Sequence, residues 1–297
     1  MPHLILKTSQ LNAVVGGNEA GDAAHPQHRA GYNGLWSLTS VHAPKNCFVP
    51  TVAGLNLEHF MDEMFMTEEG GDIFEPRHVP MTLERVSDRE ARLVHAPSPL
   101  TGVSSQTTFT LSEPYFVDLD FKATLHRAPR AGHRFGFFWA SYMDAPEAPA
   151  LHFLDPQGRW ASLSADAHGS GNTLCHRSQA SASWGDPVRH YRHGSLTHAF
   201  SLRRFDVPLM YGRPGDGHML WLLMLDQEGP VRLCMSPSGG GTCPERSTYN
   251  PAWDFQYIAD QAQAGQEFRC RARLVYKPYH GRGEILDLYR TWKAHLS

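Results

Sequence analysis

The feature that most constrains the fold is a regular two-residue alternation of side-chain type between Tyr115 and Leu125. One set of positions is Tyr115, Val117, Leu119, Phe121, Ala123 and Leu125, and the positions between them are Phe116, Asp118, Asp120, Lys122 and Thr124. Because successive side chains of a strand point to opposite faces, this period predicts a half-buried strand. The segment Phe268–Lys277 repeats the pattern, and its arginines 269, 271 and 273 share a face that needs acidic neighbours or solvent.

Shorter strand signals fill most of the chain and are separated by clusters of Pro, Gly, Asp and Ser. They are Leu35–Thr39, Met81–Val86, Ser104–Leu111, Phe135–Tyr142, Ala199–Arg204, Met219–Leu225 and Val231–Met235. Only Gly283–Leu296 has a clear helical stripe, whereas Glu58–Met66 fits either a short helix or a strand that runs into a loop. The segment Ala161–Ser195 fits a long functional loop or two weakly patterned strands.

Strands do not alternate with long helices in this sequence, which argues against Rossmann and TIM-barrel architectures. The pattern predicts an all-β fold, a large antiparallel β-sandwich of supersandwich or jelly-roll type. One C-terminal helix is expected to pack outside the sandwich. No linker or internal repeat interrupts the pattern, so residues 1–297 are expected to form a single β-sandwich domain.

Composition and charge exclude several classes of protein. The 27 Lys and Arg residues nearly balance 30 Asp and Glu residues, so the chain lacks the basic field of a nucleic-acid-binding protein. The first apolar run is too short for a signal peptide, and no apolar segment is long enough to span a membrane. Five scattered cysteines without a C-x-x-C pair predict neither a disulfide framework nor a Cys-rich zinc module. We therefore expect a cytoplasmic protein without a nucleic-acid or membrane partner.

Eighteen histidines make metal binding one of the alternatives. His25 and His28, like His190 and His193, have a spacing that suits two ligands on a helix, but on a strand the two rings would diverge. No P-loop, H-E-x-x-H or G-x-S-x-G motif is present. The cofactor is therefore left unknown: the leading hypothesis requires none, and a divalent metal remains an alternative.

Two local clusters could supply acid–base chemistry early in the chain. Glu58 and His59 are neighbours, so on a regular strand only one of them would face a cavity, and His59 is the better candidate for proton transfer. Pro76 and Pro80 predict a short extended segment that restricts Arg77 and His78. Arg77 could then hold a carboxylate or an oxyanion. The alternatives are a histidine bonded to backbone and a surface turn with a salt-bridged arginine.

A third cluster combines Tyr211, Arg213 and His218 on a glycine-rich loop before an apolar strand. A Tyr or His base beside an Arg that holds negative charge suits the removal of a proton next to a carbonyl or carboxylate. The same Gly, Pro and Asp residues also suit an ordinary tight hairpin.

Aromatic strands could supply binding surfaces. Trp139 and Tyr142 in Phe135–Met143, and Trp253 in Tyr249–Tyr257, could stack on the apolar face of a sugar ring. Asp254 and Gln256 fall on the face opposite Trp253 and could bind vicinal hydroxyls. The alternatives are core packing for the aromatic residues and a solvated strand face for the polar ones.

The strand rhythm also resembles that of a known family. Thr101–Val103, Phe109–Leu111 and Tyr115–Leu119, with Tyr32–Leu35 near the start, are similar to the central strands of the galactose mutarotase-like β-supersandwich carbohydrate-active proteins. This resemblance implies sugars as ligands.

These observations lead to one functional hypothesis and two alternatives. The hypothesis is a carbohydrate-active enzyme that performs proton transfer at a sugar carbon, as an isomerase (epimerisation) or a lyase (β-elimination), in a concave sheet face, with a small-molecule saccharide as its partner. The expected catalytic residues are His59, His78, Tyr211, His218, Arg77 and Arg213, and the expected substrate-binding residues are Trp139, Tyr142, Trp253, Asp254 and Gln256. The alternatives are a non-catalytic carbohydrate-binding module and a metal-dependent cupin-like enzyme. The oligomeric state is left open.

Overall fold

The computed structural model describes residues 2–66, 71–164, 171–179, 200–215, 217–237 and 250–296. In chain order its strands are β1 (His3–Lys7), β2 (Leu11–Gly16), β3 (Gly34–Ser40), β4 (Asn56–Asp62), β5 (Met81–Ser87), β6 (Glu90–His95), β7 (Val103–Ser112), β8 (Phe116–Leu125), β9 (Phe135–Ala140), β10 (Leu151–Leu154), β11 (Trp160–Leu163), β12 (Thr173–His176), β13 (Phe200–Phe205), β14 (Leu209–Gly212), β15 (Met219–Leu225), β16 (Val231–Ser236), β17 (Ala252–Ala259) and β18 (Glu267–Pro278). The helices are α1 (Glu75–His78) and α2 (Gly283–Ala294), and one 3₁₀ turn spans Glu63–Met66.

The strands form one large, one medium and one small sheet. The nine-stranded sheet has the order β11-β10-β14-β15-β18-β8-β7-β6-β5, and the six-stranded sheet has the order β13-β12-β16-β17-β9-β4. Strands β1, β2 and β3 form the third sheet. The paired strands are antiparallel, apart from the parallel pair β12 and β13. The structure confirms the prediction of an all-β antiparallel sandwich.

The main core lies between the two larger sheets. Phe121 of β8 contacts Trp139 of β9 edge to face, with ring centroids 4.7 Å apart. Phe268 of β18 likewise contacts Phe137, with a centroid distance of 5.5 Å. Burying one such side chain stabilises the fold by about 1.5–3 kcal/mol, so these rows supply much of the force that holds the sheets together. The alternation seen in the sequence therefore marks the side chains that face the core.

The opposite face of β18 carries the three arginines, and each is paired. Arg269 bonds Asp120, Arg271 bonds Asp226 and Arg273 bonds Asp118, with N–O distances of 2.6 to 2.9 Å. This arrangement confirms that the arginine face is matched by acidic neighbours.

Helix α2 covers the other part of the same sheet surface. Its Ile285 and Trp292 are buried against a cluster that includes Leu222 and Val275. The structure confirms the predicted C-terminal helix and its place outside the sandwich. In the described part of the chain, no helix is long and apolar enough to cross a membrane.

Local predictions differ from the structure at two places, and a third segment follows one of its two stated alternatives. Glu75–His78 forms one helical turn where an extended segment was expected, because Pro76 fits the first turn, where an N–H group has no intrahelical partner anyway. Glu58–Met66 follows the second alternative, a strand that leads into the 3₁₀ turn. Tyr211 lies in strand β14, whereas a loop position was expected.

Candidate functional site

Charged side chains are buried on the side of the six-stranded sheet that faces away from the main core. We call this surface the polar outer face, and its members are Glu58, His59, Phe138, Arg232, Asp254 and Gln256. On β17 the alternation directs Trp253 and Phe255 into the core, which leaves Asp254 and Gln256 on the opposite side. Each member of the polar outer face is at most 3% exposed. The alternative of a solvated polar strand face is therefore excluded for Asp254 and Gln256.

A β-bulge places two consecutive residues of β4 on this face. Leu57 pairs with Trp139 but His59 pairs with Phe138, so Glu58 is an extra residue in the strand. His59 lies between the rings of Phe74 and Phe138, with centroid distances of 4.4 and 4.7 Å. Glu58 reaches Tyr142 on the same side. The expectation that only one of the two neighbours can face outward is wrong, because it assumed a strand without a bulge.

Glu58, Arg77 and Tyr142 form one hydrogen-bonded cluster. The Tyr142 hydroxyl lies 2.6 and 2.8 Å from the two carboxylate oxygens of Glu58 and donates to that group. Arg77 forms a salt bridge with Glu58 and donates to the Tyr142 Oη at 3.1 Å. Its guanidinium also lies over the Tyr32 ring, 4.4 Å from the ring centroid. Burial raises the pKa of Tyr142, so its phenol stays protonated and remains a hydrogen-bond donor.

Helix α1 holds Arg77 in this position through bonds at both of its ends. Glu75 accepts hydrogen bonds from Leu100 N at 2.5 Å and from the Thr101 hydroxyl at 2.6 Å. Asn18 donates to the carbonyl oxygens of Pro76, at 3.0 Å, and of the residue after the helix, at 2.6 Å. A helix of a single turn has little stability of its own, so these side-chain bonds fix its orientation.

Asp254 is the second carboxyl group of the face, and its environment differs from that of Glu58. Among the described residues, its hydrogen-bond donor is the backbone N–H of Ser141, at 3.2 Å. Burial raises the pKa of Asp254 well above its usual value, because few groups replace the lost water. Burial therefore favours the protonated form of Asp254. Ser141 directly precedes Tyr142, so consecutive residues position the two carboxyl groups.

The expected cluster of Tyr211, Arg213 and His218 is assembled elsewhere, around Tyr279. Tyr211 stacks on Tyr279 and accepts a hydrogen bond from Arg282 Nε at 2.6 Å. Arg213 lies over the Tyr279 ring and pairs with Glu147 at 2.8 Å, while the His218 carbonyl accepts the Tyr279 N–H. His218 also lines a cavity of about 440 Å³ at one end of the sandwich. Tyr211 belongs to the apolar cluster under α2, on the nine-stranded sheet.

Three further expected residues have no place on the polar outer face. His78 is 66% exposed and pairs with Asp72 at 2.9 Å. Trp139 is stacked on Phe255 inside the main core, and Trp253 is equally buried there. Neither indole presents a ring face to a ligand, so we correct their expected role as stacking platforms to core packing.

Two residues of the candidate site were missed in the sequence, Tyr32 next to the Glu58 cluster and Arg232 on the polar outer face. Tyr32, beneath Arg77, carries no local signal of its role. Arg232 does carry one, because it is the only charged residue in the strand Val231–Ser236. A single charge in a strand of this kind is unusual unless it has a partner or a ligand.

Two larger hollows lie away from the Glu58 cluster. One of about 610 Å³ follows the solvated surface of the nine-stranded sheet at Gln106, Lys122 and Arg269. The other, of about 700 Å³, lies at the sheet edges and is lined by Trp160 and Arg204 among others. Volume alone does not identify the chemical site, because neither hollow contains a carboxyl group with a raised pKa.

No metal site is formed by the part of the chain that the structure describes. Within it, no group of three or more His, Cys, Asp or Glu side chains could hold an ion. His28 instead stacks on Trp36 with its Nε2 2.8 Å from the Tyr32 carbonyl, and burial lowers the pKa of His28 to about 4. His190 and His193 lie outside the described residues.

Comparisons with known proteins give likenesses of structure only. No protein-family model and no curated protein matches the chain. Among solved structures, a putative aldose 1-epimerase from Escherichia coli K12 is 9% identical with a TM-score of 0.49, covering 93% of this chain and 99% of that one. A galactose mutarotase related enzyme from Lactobacillus acidophilus is 11% identical with a TM-score of 0.49, covering 93% and 97%. A 4-alpha-glucanotransferase from Thermococcus litoralis is 9% identical with a TM-score of 0.49, covering 92% and 37%. The resemblance to galactose mutarotase-like structures that was expected from the sequence is confirmed as such a likeness.

Proposed function

We propose that the protein is a carbohydrate-active enzyme that moves protons at a saccharide bound over the polar outer face. The observation that carries this proposal is the contrast between Asp254 and Glu58. Burial raises the pKa of Asp254 and so favours its neutral form, whereas Glu58 is an acceptor for Arg77 and Tyr142. Two carboxyl groups in opposite environments on one face supply an acid and a base at the same pH.

Asp254 is the proton donor in this proposal. A carboxyl group that stays neutral at pH 7 can hydrogen-bond a substrate oxygen and protonate it as negative charge develops there. That oxygen would be the ring oxygen in an epimerisation or the leaving oxygen in a β-elimination. Asp254 suits this role because Ser141 bonds one of its oxygens, and no other described residue bonds the second oxygen.

Tyr142 and Glu58 together accept the substrate proton. As the substrate donates its proton to the Tyr142 oxygen, the Tyr142 proton passes to Glu58 over the observed distance of 2.6 Å. Arg77, 3.1 Å from the same oxygen, stabilises negative charge that develops on the phenol during the transfer. The Arg77 side chain is 19% exposed, so we expect the saccharide to enter from its side of the cluster.

Turnover of a panel of saccharides tests this proposal. Asp254→Asn removes the acid with nearly the same shape, and turnover is expected to fall by about 10²–10⁴-fold. The matched control is Asp226→Asn, because Asp226 is also buried but pairs with Arg271 on the other sheet. Unchanged turnover by a folded Asp254→Asn variant would remove Asp254 from the mechanism.

A non-catalytic carbohydrate-binding module is the second candidate. It is favoured by the mutual satisfaction of Glu58, Arg77 and Tyr142, which need no substrate to complete their bonds. Saccharide binding without any turnover by the wild-type protein, with an affinity that does not change with pH, would support this candidate over the enzyme.

A further inference from the structure

Within the part of the chain that the structure describes, Arg232 is a buried cation without a carboxylate partner. It is 2% exposed, and one guanidinium nitrogen donates to the carbonyl oxygens of Gly229 and Val231, each at 3.0 Å. Among the described residues, no Asp or Glu lies within salt-bridge distance of it. An arginine remains charged in a protein, so this site holds a positive charge that no described acidic side chain neutralises.

The groups around Arg232 do not supply the missing negative charge. Burial raises the pKa of Cys175 and of Cys234, so both thiols are neutral. Asp260 acts on Arg232 from a distance, but its carboxylate is 57% exposed and pairs with Arg134 at 3.3 Å. The remaining charged neighbour, Arg204, is a second cation.

Arg204 strengthens the local positive charge. Its guanidinium donates to the backbone oxygens of Ser201 and Arg203, at 2.7 and 3.0 Å, and bonds no acidic side chain in the described ranges. Arg204 also lines the hollow of about 700 Å³ at the sheet edges. Two neighbouring cations without an acidic partner in the described ranges attract anions.

Arg232 is close to the proposed proton donor. It pairs with Gln256 across β16 and β17, and Asp254 is two residues away from Gln256 on the same face. Diagonal neighbours of this kind lie about 7–8 Å apart on an antiparallel pair. A substituent of a sugar bound over Asp254 can therefore reach the guanidinium.

We propose that the saccharide of this site carries an oxyanion, a carboxylate, phosphate or sulfate group, that pairs with Arg232. The proposal rests on the proposed function, because it names the substrate class of the same face. An oxyanion presents two oxygens to the planar guanidinium and can bond it in a bidentate manner. A neutral sugar would leave the buried charge unpaired.

Calorimetric binding to the wild-type protein tests this inference with glucose, glucuronate, glucose 6-phosphate and glucose 6-sulfate. At least one anionic sugar is expected to bind about ten- to a hundredfold more tightly than glucose. Arg232→Met should abolish that preference. Arg269→Gln is the matched control, since Arg269 is paired with Asp120 on the other sheet, and it should retain the preference. The tightest of the three anionic sugars identifies the charged group.

The outcomes separate this inference from the function on which it rests. Equal binding of neutral and anionic sugars by the wild-type protein overturns the inference but leaves Asp254-dependent turnover intact. If no saccharide is bound or turned over while inorganic phosphate binds in an Arg232-dependent manner, the enzyme proposal fails and the anion site stands. Should Arg232→Met not fold, thermal denaturation of the wild-type protein decides: inorganic phosphate should raise Tm at constant ionic strength, and no rise counts against the site.

Discussion

The two outer surfaces of the sandwich differ in how their charged side chains are paired. On the nine-stranded sheet, Arg269, Arg271 and Arg273 each bond an aspartate, and the apolar side of α2 packs on β14, β15 and the end of β18. On the six-stranded sheet, Asp254 and Arg232 are almost fully buried, and neither is paired with an opposite charge among the residues that the structure describes.

This difference supports the proposal that the outer surface of the six-stranded sheet acts on another molecule, whereas the other outer surface contributes to stability. Paired charges and an apolar helix interface lower the free energy of the folded state with no need of a ligand. A buried acid and a buried guanidinium without partners raise it, and such costs are typical of sites that act on another molecule. Four measurements would break or sharpen the comparison.

The largest effect is expected under α2. Trp292→Ala removes a buried indole and should destabilise the protein by about 3–5 kcal/mol, measured by chemical denaturation. Turnover per folded molecule should stay near the wild-type value, because α2 packs on the other sheet. A large loss of turnover at unchanged stability would instead place chemistry on the α2 side.

Next comes a matched pair of buried tyrosines that each bond an arginine. Tyr142→Phe removes the proton relay and should lower kcat by about 10²-fold. Tyr211→Phe removes the bond from Arg282 and should leave kcat almost unchanged. Steady-state kinetics on the same saccharide compares them, and the reverse result would move the site to the Tyr279 cluster.

A smaller effect is the pH dependence of stability due to Asp254. Its pKa is raised in the folded protein, so the folded state binds the proton more tightly than the unfolded state. Its contribution is therefore complete below the unfolded pKa of about 4 and is lost as pH rises toward the folded value, with a slope of at most about 1.4 kcal/mol per pH unit. Denaturation of wild type and Asp254→Asn between pH 4 and 8 measures it, and parallel curves would contradict the prediction.

The smallest effect is expected for the exposed pair Arg269–Asp120. Arg269→Gln should cost about 0.2–1 kcal/mol, and added salt should reduce that cost. Urea denaturation at low and high salt gives both values. A loss of stability well above this range that does not change with salt would show that the Arg269–Asp120 pair is not exposed to solvent.

The sequence predicts the layers of the fold better than it predicts the site. Alternation on β8 and β18 shows which side chains face the core, because strand geometry fixes the period. The same logic correctly separates Asp254 and Gln256 from Trp253. It fails at Glu58, because a bulge is set by pairing with β9 and leaves no trace in local periodicity.

Other parts of the site depend on contacts between distant segments. Arg77 meets Glu58 and Tyr142 only because α1 is anchored by Asn18 and by the Leu100–Thr101 backbone. No local pattern encodes such contacts. The charge of Arg232 in an apolar strand was visible, but its lack of a partner is a property of the folded chain.

The extra residue in β4 has a consequence for engineering the protein. Leu57 faces the core and His59 faces outward, which is the order a strand would have if Glu58 were absent. Deleting Glu58 would thus keep the pairing register of both neighbouring segments with β9 and remove the carboxylate entirely. Deletion of Glu58 should therefore disturb the fold less than most deletions within a strand. It also removes the carboxylate together with its backbone position, which no substitution does.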